Sequence, residues 1–303
     1  MREPTHPARL RLLVLLALFA LYFIWGSTFL AMKFAIESFP PFMMAAIRFS
    51  IAGGLLYGVL RLHGRPAPTG RQWLGASAVG ILLLSVGNAG VAIAEQTVSS
   101  GVAALSIATV PLWMALFSGV WGHWPSRREW TGIVVGTVGV AVLSTGGTLQ
   151  ASPMGTFLLL LAAASWAFGS VWGKRLAMPQ GAMASAAQMM AGGAMLLVAS
   201  AVSGEHWPAA VSMKSVWAIV YLVIFGSFIA YSAYLFLLKT VRPVLATSYA
   251  FINPVVAMLL GAWLADEHIG RTEFVALLII IVGVLLVLPF KRNEAAKSPS
   301  AGP

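Results

Sequence analysis

The sequence predicts an all-α integral membrane protein: ten transmembrane helices forming two inverted five-helix repeats, with the N- and C-termini cytoplasmic. Three observations carry this reading. The chain of 303 residues is 59% hydrophobic and only 9% charged, against roughly 25% charged in a soluble domain, so its apolar bulk cannot be wrapped in a water-facing surface. Apolar runs of about 20 residues, the length that crosses a bilayer, recur along the whole chain. Lys and Arg collect in alternate connections between those runs, as cytoplasmic loops require.

The runs lie at 11–33, 42–61, 73–94, 99–121, 130–148, 154–174, 183–203, 215–237, 243–265 and 272–290. The first follows Arg2, Arg9 and Arg11, like the start of a signal peptide. It continues from Leu12 past Trp25 to Met32, beyond the 7–15 residues of a signal core, so it is read as an uncleaved helix. Turn signals punctuate the rest: Phe39-Pro40-Pro41, Arg65-Pro66-Ala67-Pro68, Pro125, Gly146-Gly147, Pro179, Gly204 with Pro208, and Arg242-Pro243. No connection is long enough for a soluble domain. The polar tail, 291–303, is expected to be disordered.

With the N-terminus inside, fifteen of the 19 Lys and Arg fall in inner segments. The outer loops hold only Lys214 and Arg271, while Lys33 and Arg48 lie within the first two helices. This bias supports an even number of spans in a bacterial inner membrane. It also explains the net charge of +10 as topogenic, so no nucleic-acid partner is expected. Cysteine is absent, which removes disulfides, thiolate nucleophiles and Cys metal sites.

The chain repeats itself. Trp25-Gly-Ser-Thr-Phe-Leu-Ala-Met-Lys33 aligns with Trp166-Ala-Phe-Gly-Ser-Val-Trp-Gly-Lys174, Thr97 to Pro111 with Thr240 to Pro254, and Glu129 to Gly139 with Glu273 to Gly283. The offsets are 141, 143 and 144 residues. The units are 1–148 and 149–290. Each holds five helices, an odd number, so the second enters the membrane from the opposite side. Inverted repeats of this kind typify secondary transporters, in which the halves exchange conformations to open inward and then outward.

These segments also carry a family resemblance. The Trp25 to Lys33 start, Pro41 followed by Arg48-Phe49, Ala103 to Pro111, Trp166 to Lys174, Asn253-Pro254 and Asp266-Glu267 together resemble the drug/metabolite transporter superfamily. Within it the chain is similar to the EamA-type ten-helix exporters, most of all the branch exporting amino acids, aromatic ones included. The resemblance implies export of a small-molecule substrate from the cytoplasm by alternating access, with membrane lipid as the surrounding partner. One departure is the Gly-Glu pair common after the ninth helix, which reads Asp266-Glu267 here; the first-half position near Gly122-His123 has no acid. A lipid or drug translocator of the same fold is the rival reading.

Several residues are candidates for the transport path. Pro111 and Pro254 are repeat mates, and proline breaks the backbone ladder, so each is either a hinge or a static kink. Asn88 and Asn253 are polar groups deep in apolar runs, where polarity is costly; each either meets substrate or bonds a neighbouring helix. Trp25, Trp113 and Trp166 sit near mid-helix, too deep for an interfacial belt. With Tyr231, Tyr234 and Tyr249 they either wall an aromatic cavity or pack. Lys33 is expected to snorkel, and Arg48 to form a structural ion pair or attract a substrate carboxylate. Gly132, Gly136 and Gly139 permit close helix approach, more economically within one chain than between two, so a monomer is expected and a dimer is the alternative.

Absences narrow the mechanism. No Asp, Glu or His lies mid-membrane, where a proton-driven antiporter needs one, so facilitated uniport is expected; Glu95 is the residue to suspect otherwise. No phosphate-binding Gly-x-x-x-x-Gly-Lys-[Ser/Thr] loop occurs, and no nucleophile–base pair or metal cluster shares one depth. Neither enzyme activity, cofactor nor metal is expected.

Overall fold

The computed structural model describes residues 7–97, 103, 106–144, 153–264 and 271–287. Among these the regular structure is entirely helical, without a strand. In chain order the helices are α1 (Ala8–Ile36), α2 (Pro41–Leu62), α3 (Gly70–Ala94), α4 (Val110–Val120), α5 (Arg127–Ser144), α6 (Pro153–Arg175), α7 (Ala182–Val202), α8 (Met213–Thr240), α9 and α10 (Arg271–Val287). The ninth, α9, comes in two pieces, Pro243–Ala246 and Tyr249–Leu264. Six of them, α1 to α3 and α6 to α8, are long and apolar enough to cross a membrane. The expected start of the fourth run near 99–102, the end of the fifth at 145–148, Asp266-Glu267 and the tail 291–303 lie outside the described residues.

Local chemistry sets the helix starts. Pro41 opens α2, where its missing N–H costs nothing. The free N–H groups of Phe42 and Met43 donate to the Glu205 carboxylate at 3.0 and 2.8 Å, placing a negative charge on the positive end of the helix. Thr69 and Gln72 cap α3 reciprocally. Ser126 and Glu129 do the same for α5, the Ser126 N–H donating to the Glu129 carboxylate at 2.8 Å.

The ninth run, expected as one helix over 243–265, is broken at Thr247–Ser248. The Thr247 and Ser248 hydroxyls donate back to the carbonyls of Pro243 and Leu245 at 3.0 and 2.8 Å, competing with the helix ladder. Ser248 also bonds the Tyr22 hydroxyl at 2.7 Å, so the break is pinned to α1. Pro111 follows a turn at Ala108–Thr109 that separates α4 from the helical residues Ser106 and Ile107. It sits in the first turn of α4, while Pro254 lies inside the second piece of α9.

The packing follows the repeat. Helix α2 packs most extensively on α7, and α5 on α10. Helix α1 lies against α8 and α9, and its mate α6 against α3 and α4; each half thus lends its first helix to the other half's third and fourth. Small residues allow the closest of these contacts. A Cβ added to Gly283 would fall 2.6 Å from the Gly136 nitrogen, and one on Gly132 2.9 Å from the Gly283 carbonyl oxygen, so the α5 glycines are spent inside this chain, on α10.

Three helices widen to π-helical turns at mid-length: Leu21–Trp25 in α1, Ile81–Asn88 in α3 and Leu222–Ile229 in α8. The last two are 141 residues apart at both ends, the spacing that relates Trp25 to Trp166. Such turns shift side chains off the helical register and gather at functional sites.

Candidate functional site

The three widened turns converge on one internal cavity. It is lined by Trp25, Thr28 and Phe29 from α1, Arg48 and Phe49 from α2, Leu84, Gly87 and Asn88 from α3, Trp166 from α6, Gly226 and Tyr231 from α8, and Tyr249 and Asn253 from α9. Its walls are mostly apolar and both halves of the chain contribute. The centre of a water-sized sphere can move through about 70 Å³ of it, room for a few waters.

Of the sequence candidates, Trp25, Asn88, Trp166, Tyr231, Tyr249 and Asn253 line this cavity together. Tyr234 stands directly behind them. Its ring centroid is 5.3 Å from Trp25, 5.5 Å from Trp166 and 5.8 Å from Tyr249. Trp25 also meets Tyr249 at 4.7 Å and Trp166 edge-on at 5.5 Å. Each aromatic pair contributes ~0.5–1.5 kcal/mol beyond its buried area, so the cluster holds the wall rigid. Trp25 Nε1 donates to the Gly226 carbonyl at 3.0 Å, a bond that ties α1 to the π-helical turn of α8. Trp113 is placed elsewhere: half-buried, it stacks on Phe117 at 6.0 Å and does not face the cavity.

The polar lining is sparse. Asn253 is 2% exposed, and its Oδ1 has no hydrogen-bond partner, which leaves one unpaired acceptor in the cavity wall; the Trp166 indole N–H is directed at the Tyr234 hydroxyl. Arg48, also 2% exposed, donates from Nε to the Ser227 hydroxyl at 2.7 Å and from Nη1 to Asn88 Oδ1 at a long 3.5 Å. Its guanidinium lies 4.8 Å over the Phe49 ring. Among the described residues no carboxylate pairs with it, so the expected structural ion pair is not seen there.

Two wider openings of about 550 and 660 Å³ lie near the Lys174 end of the bundle. Lys174, Arg175 and Arg242 line one, and Lys174 with Lys239 the other. The larger is separated from the central cavity by little more than one layer of side chains. Tyr231 lines the cavity and donates to Gln188 Oε1 at 2.6 Å, and Gln188 lines the opening. Beside this pair, the Tyr234 and Ser170 hydroxyls share a 2.8 Å bond.

Glu95 follows directly on α3, one helical turn beyond the cavity residue Val91, and does not itself line the cavity. Both of its carboxylate oxygens are buried without a hydrogen-bond partner. Burial pushes its pKa up to about 8, the Lys33 charge offsetting part of the effect. Among the described residues no cluster of His, Asp and Glu could hold a metal ion.

The EamA-like transporter family model matches the chain twice, at residues 12–145 and 153–288. The uncharacterized inner membrane transporter YedA of Escherichia coli K12 is 47% identical over 282 residues, covering 93% of this chain and 92% of that protein. Protein PecM of Dickeya dadantii is 26% identical, covering 90% and 93%. The chloroplastic WAT1-related protein At3g02690 of Arabidopsis thaliana is 28% identical, covering 88% of this chain and 67% of that one. A solved crystal structure, 20% identical, superposes with a TM-score of 0.74 over 90% of this chain and 95% of its own, a likeness of fold. A family model spanning nearly the whole chain in two copies, and a full-length relative at this identity, make the chain a member of the EamA-like transporter family.

Proposed function

We propose that the chain is an inner-membrane exporter of small metabolites, above all amino acids including aromatic ones, working as a uniporter by alternating access. In this reading ten helices span the bilayer as two inverted repeats, 1–148 and 149–290, with both termini in the cytoplasm. The observation that carries it is the aromatic cavity shared by the two halves. Its flat, apolar rings suit the side chain of a large amino acid, while Asn88 and Asn253 offer hydrogen bonds to its polar end. The swapped packing of α1 and α6 and the matched π-helical turns of α3 and α8 support two equivalent halves that rock about this site. Uniport is favoured because, among the described residues, no carboxylate or His lines the cavity.

The test is efflux from liposomes containing the purified protein and loaded with labelled amino acids. Selective efflux of phenylalanine, tryptophan and leucine is expected, at the same rate with and without a pH gradient. Trp25→Ala and Trp166→Ala should each lower it at least tenfold. Absence of amino-acid flux from folded protein, with lipid scrambling or drug efflux in its place, would transfer the proposal to the translocator reading. Flux that collapses with the pH gradient would replace uniport by proton coupling.

A further inference from the structure

The charges around the cavity are one-sided. Arg48 carries a buried cation into its wall, hydrogen-bonded only to a neutral hydroxyl and a neutral amide. Burying a charge without a counter-charge is among the most expensive arrangements a protein can hold, and the membrane removes the usual escape to water. Arg48 also cannot snorkel, because Phe49 covers it and Ser227, itself fully buried, fixes its Nε. Among the described residues no acidic side chain lines the cavity to receive a substrate's ammonium group, and the acceptor left unpaired there, Asn253 Oδ1, is neutral. The same sign continues into the two openings at the Lys174 end, where Lys174, Arg175, Lys239 and Arg242 form part of the walls. The nearest acid there, Glu129, is spent on Arg242 at 2.9 Å and on capping α5. Openings lined by one sign of charge concentrate ions of the other.

We infer that the cavity is a carboxylate site: Arg48 is the substrate-binding residue that takes the carboxylate, and the substrate's amino group is dispensable. Resting on the exporter reading above, this extends the substrates from zwitterionic amino acids to net monoanions, aryl and branched-alkyl carboxylates without an amine. The carboxylate supplies the missing counter-charge, the guanidinium offering planar donors that match it. The aromatic cluster takes the apolar body. Export then has a built-in driving force. A monoanion carried alone is expelled by an inside-negative potential, with about fifty-fold accumulation outside per 100 mV at equilibrium.

The experiment compares three solutes of one shape in protein-containing and protein-free liposomes: phenylpyruvate, phenylalanine and phenethylamine. A potassium diffusion potential is set in either direction. Phenylpyruvate should leave at least as fast as phenylalanine, faster with the interior negative and slower with the sign reversed, while phenethylamine leaves at the protein-free rate. Arg48→Gln should lower phenylpyruvate flux at least tenfold and Arg48→Lys should restore part of it. Ligand-induced quenching of tryptophan fluorescence in detergent reports binding independently of flux, so an Arg48→Gln protein that folds poorly does not decide the matter. Phenylalanine carried without phenylpyruvate, or phenethylamine carried as fast as phenylpyruvate, would overturn the carboxylate site and leave the exporter reading standing. Failure of all three solutes would sink both.

Discussion

At the scale of single residues, burial and pairing decide which groups matter. Glu205 earns its place by accepting two N–H bonds at the start of α2. Glu205→Ala should cost ~1–2 kcal/mol, read as a lowered unfolding temperature in detergent with the substrate profile unchanged. Glu95 acts in the opposite sense. Its pKa, raised from the ordinary 4.5 to about 8, means that the folded state holds a proton that the unfolded chain releases. That contribution is complete below about pH 4.5 and is lost as pH rises through 8. The wild type should therefore unfold at lower temperature near pH 9 than near pH 5, and Glu95→Gln should flatten this difference. Trp25 and Trp166 were legible from sequence because each lies mid-helix and the repeat pairs them. Arg48 was legible as a deep cation, read either as half of an ion pair or as bait for a substrate carboxylate; among the described residues no acid pairs with it. Trp113 and Tyr234 were indistinguishable from the lining residues by composition, since which face of a helix meets a cavity depends on neighbours several helices away.

The helices themselves show how local irregularity builds the site. The π-helical turns of α1, α3 and α8 contribute Trp25, Leu84, Gly87, Asn88 and Gly226 to one cavity. Hydropathy locates these helices well because bilayer thickness sets their length, but it carries no information on hydrogen-bond register, so the widened turns and the break at Thr247–Ser248 were invisible to it. Pro254 was expected in the path from its repeat mate; its place inside α9, next to the cavity residue Asn253, is where a missing N–H frees a carbonyl. Pro254→Ala should rebuild the ladder and slow efflux several-fold while leaving ligand binding, measured by tryptophan quenching, within about twofold if the proline serves motion rather than recognition. The glycines of α5 and α10 act through size. Gly283→Leu forces a side chain between backbones already in contact and should destabilise the fold by ~1–3 kcal/mol or more, seen as loss of monodisperse protein.

For the whole molecule, the proposed function requires that two halves share one central cavity and expose it alternately to the two sides of the membrane. The packing of α1 on α8 and α9, and of α6 on α3 and α4, would couple the halves mechanically in that proposed cycle. Tyr231 with Gln188 and Tyr234 with Ser170 are hydrogen-bonded pairs between the cavity and the opening lined by Lys174 and Lys239; in the proposed function they are the barrier on that side. The chain contains no cysteine, which permits a direct test. Thr28 lines the cavity and is 7% exposed, so Thr28→Cys introduces a single thiol there at little steric cost. Its reaction with a membrane-impermeant thiol reagent, applied separately to right-side-out and inside-out vesicles, tests the account most directly. Labelling from both sides, slowed by a transported aromatic substrate, is the result predicted. Labelling from one side only, or at a rate that substrate leaves unchanged, would contradict it.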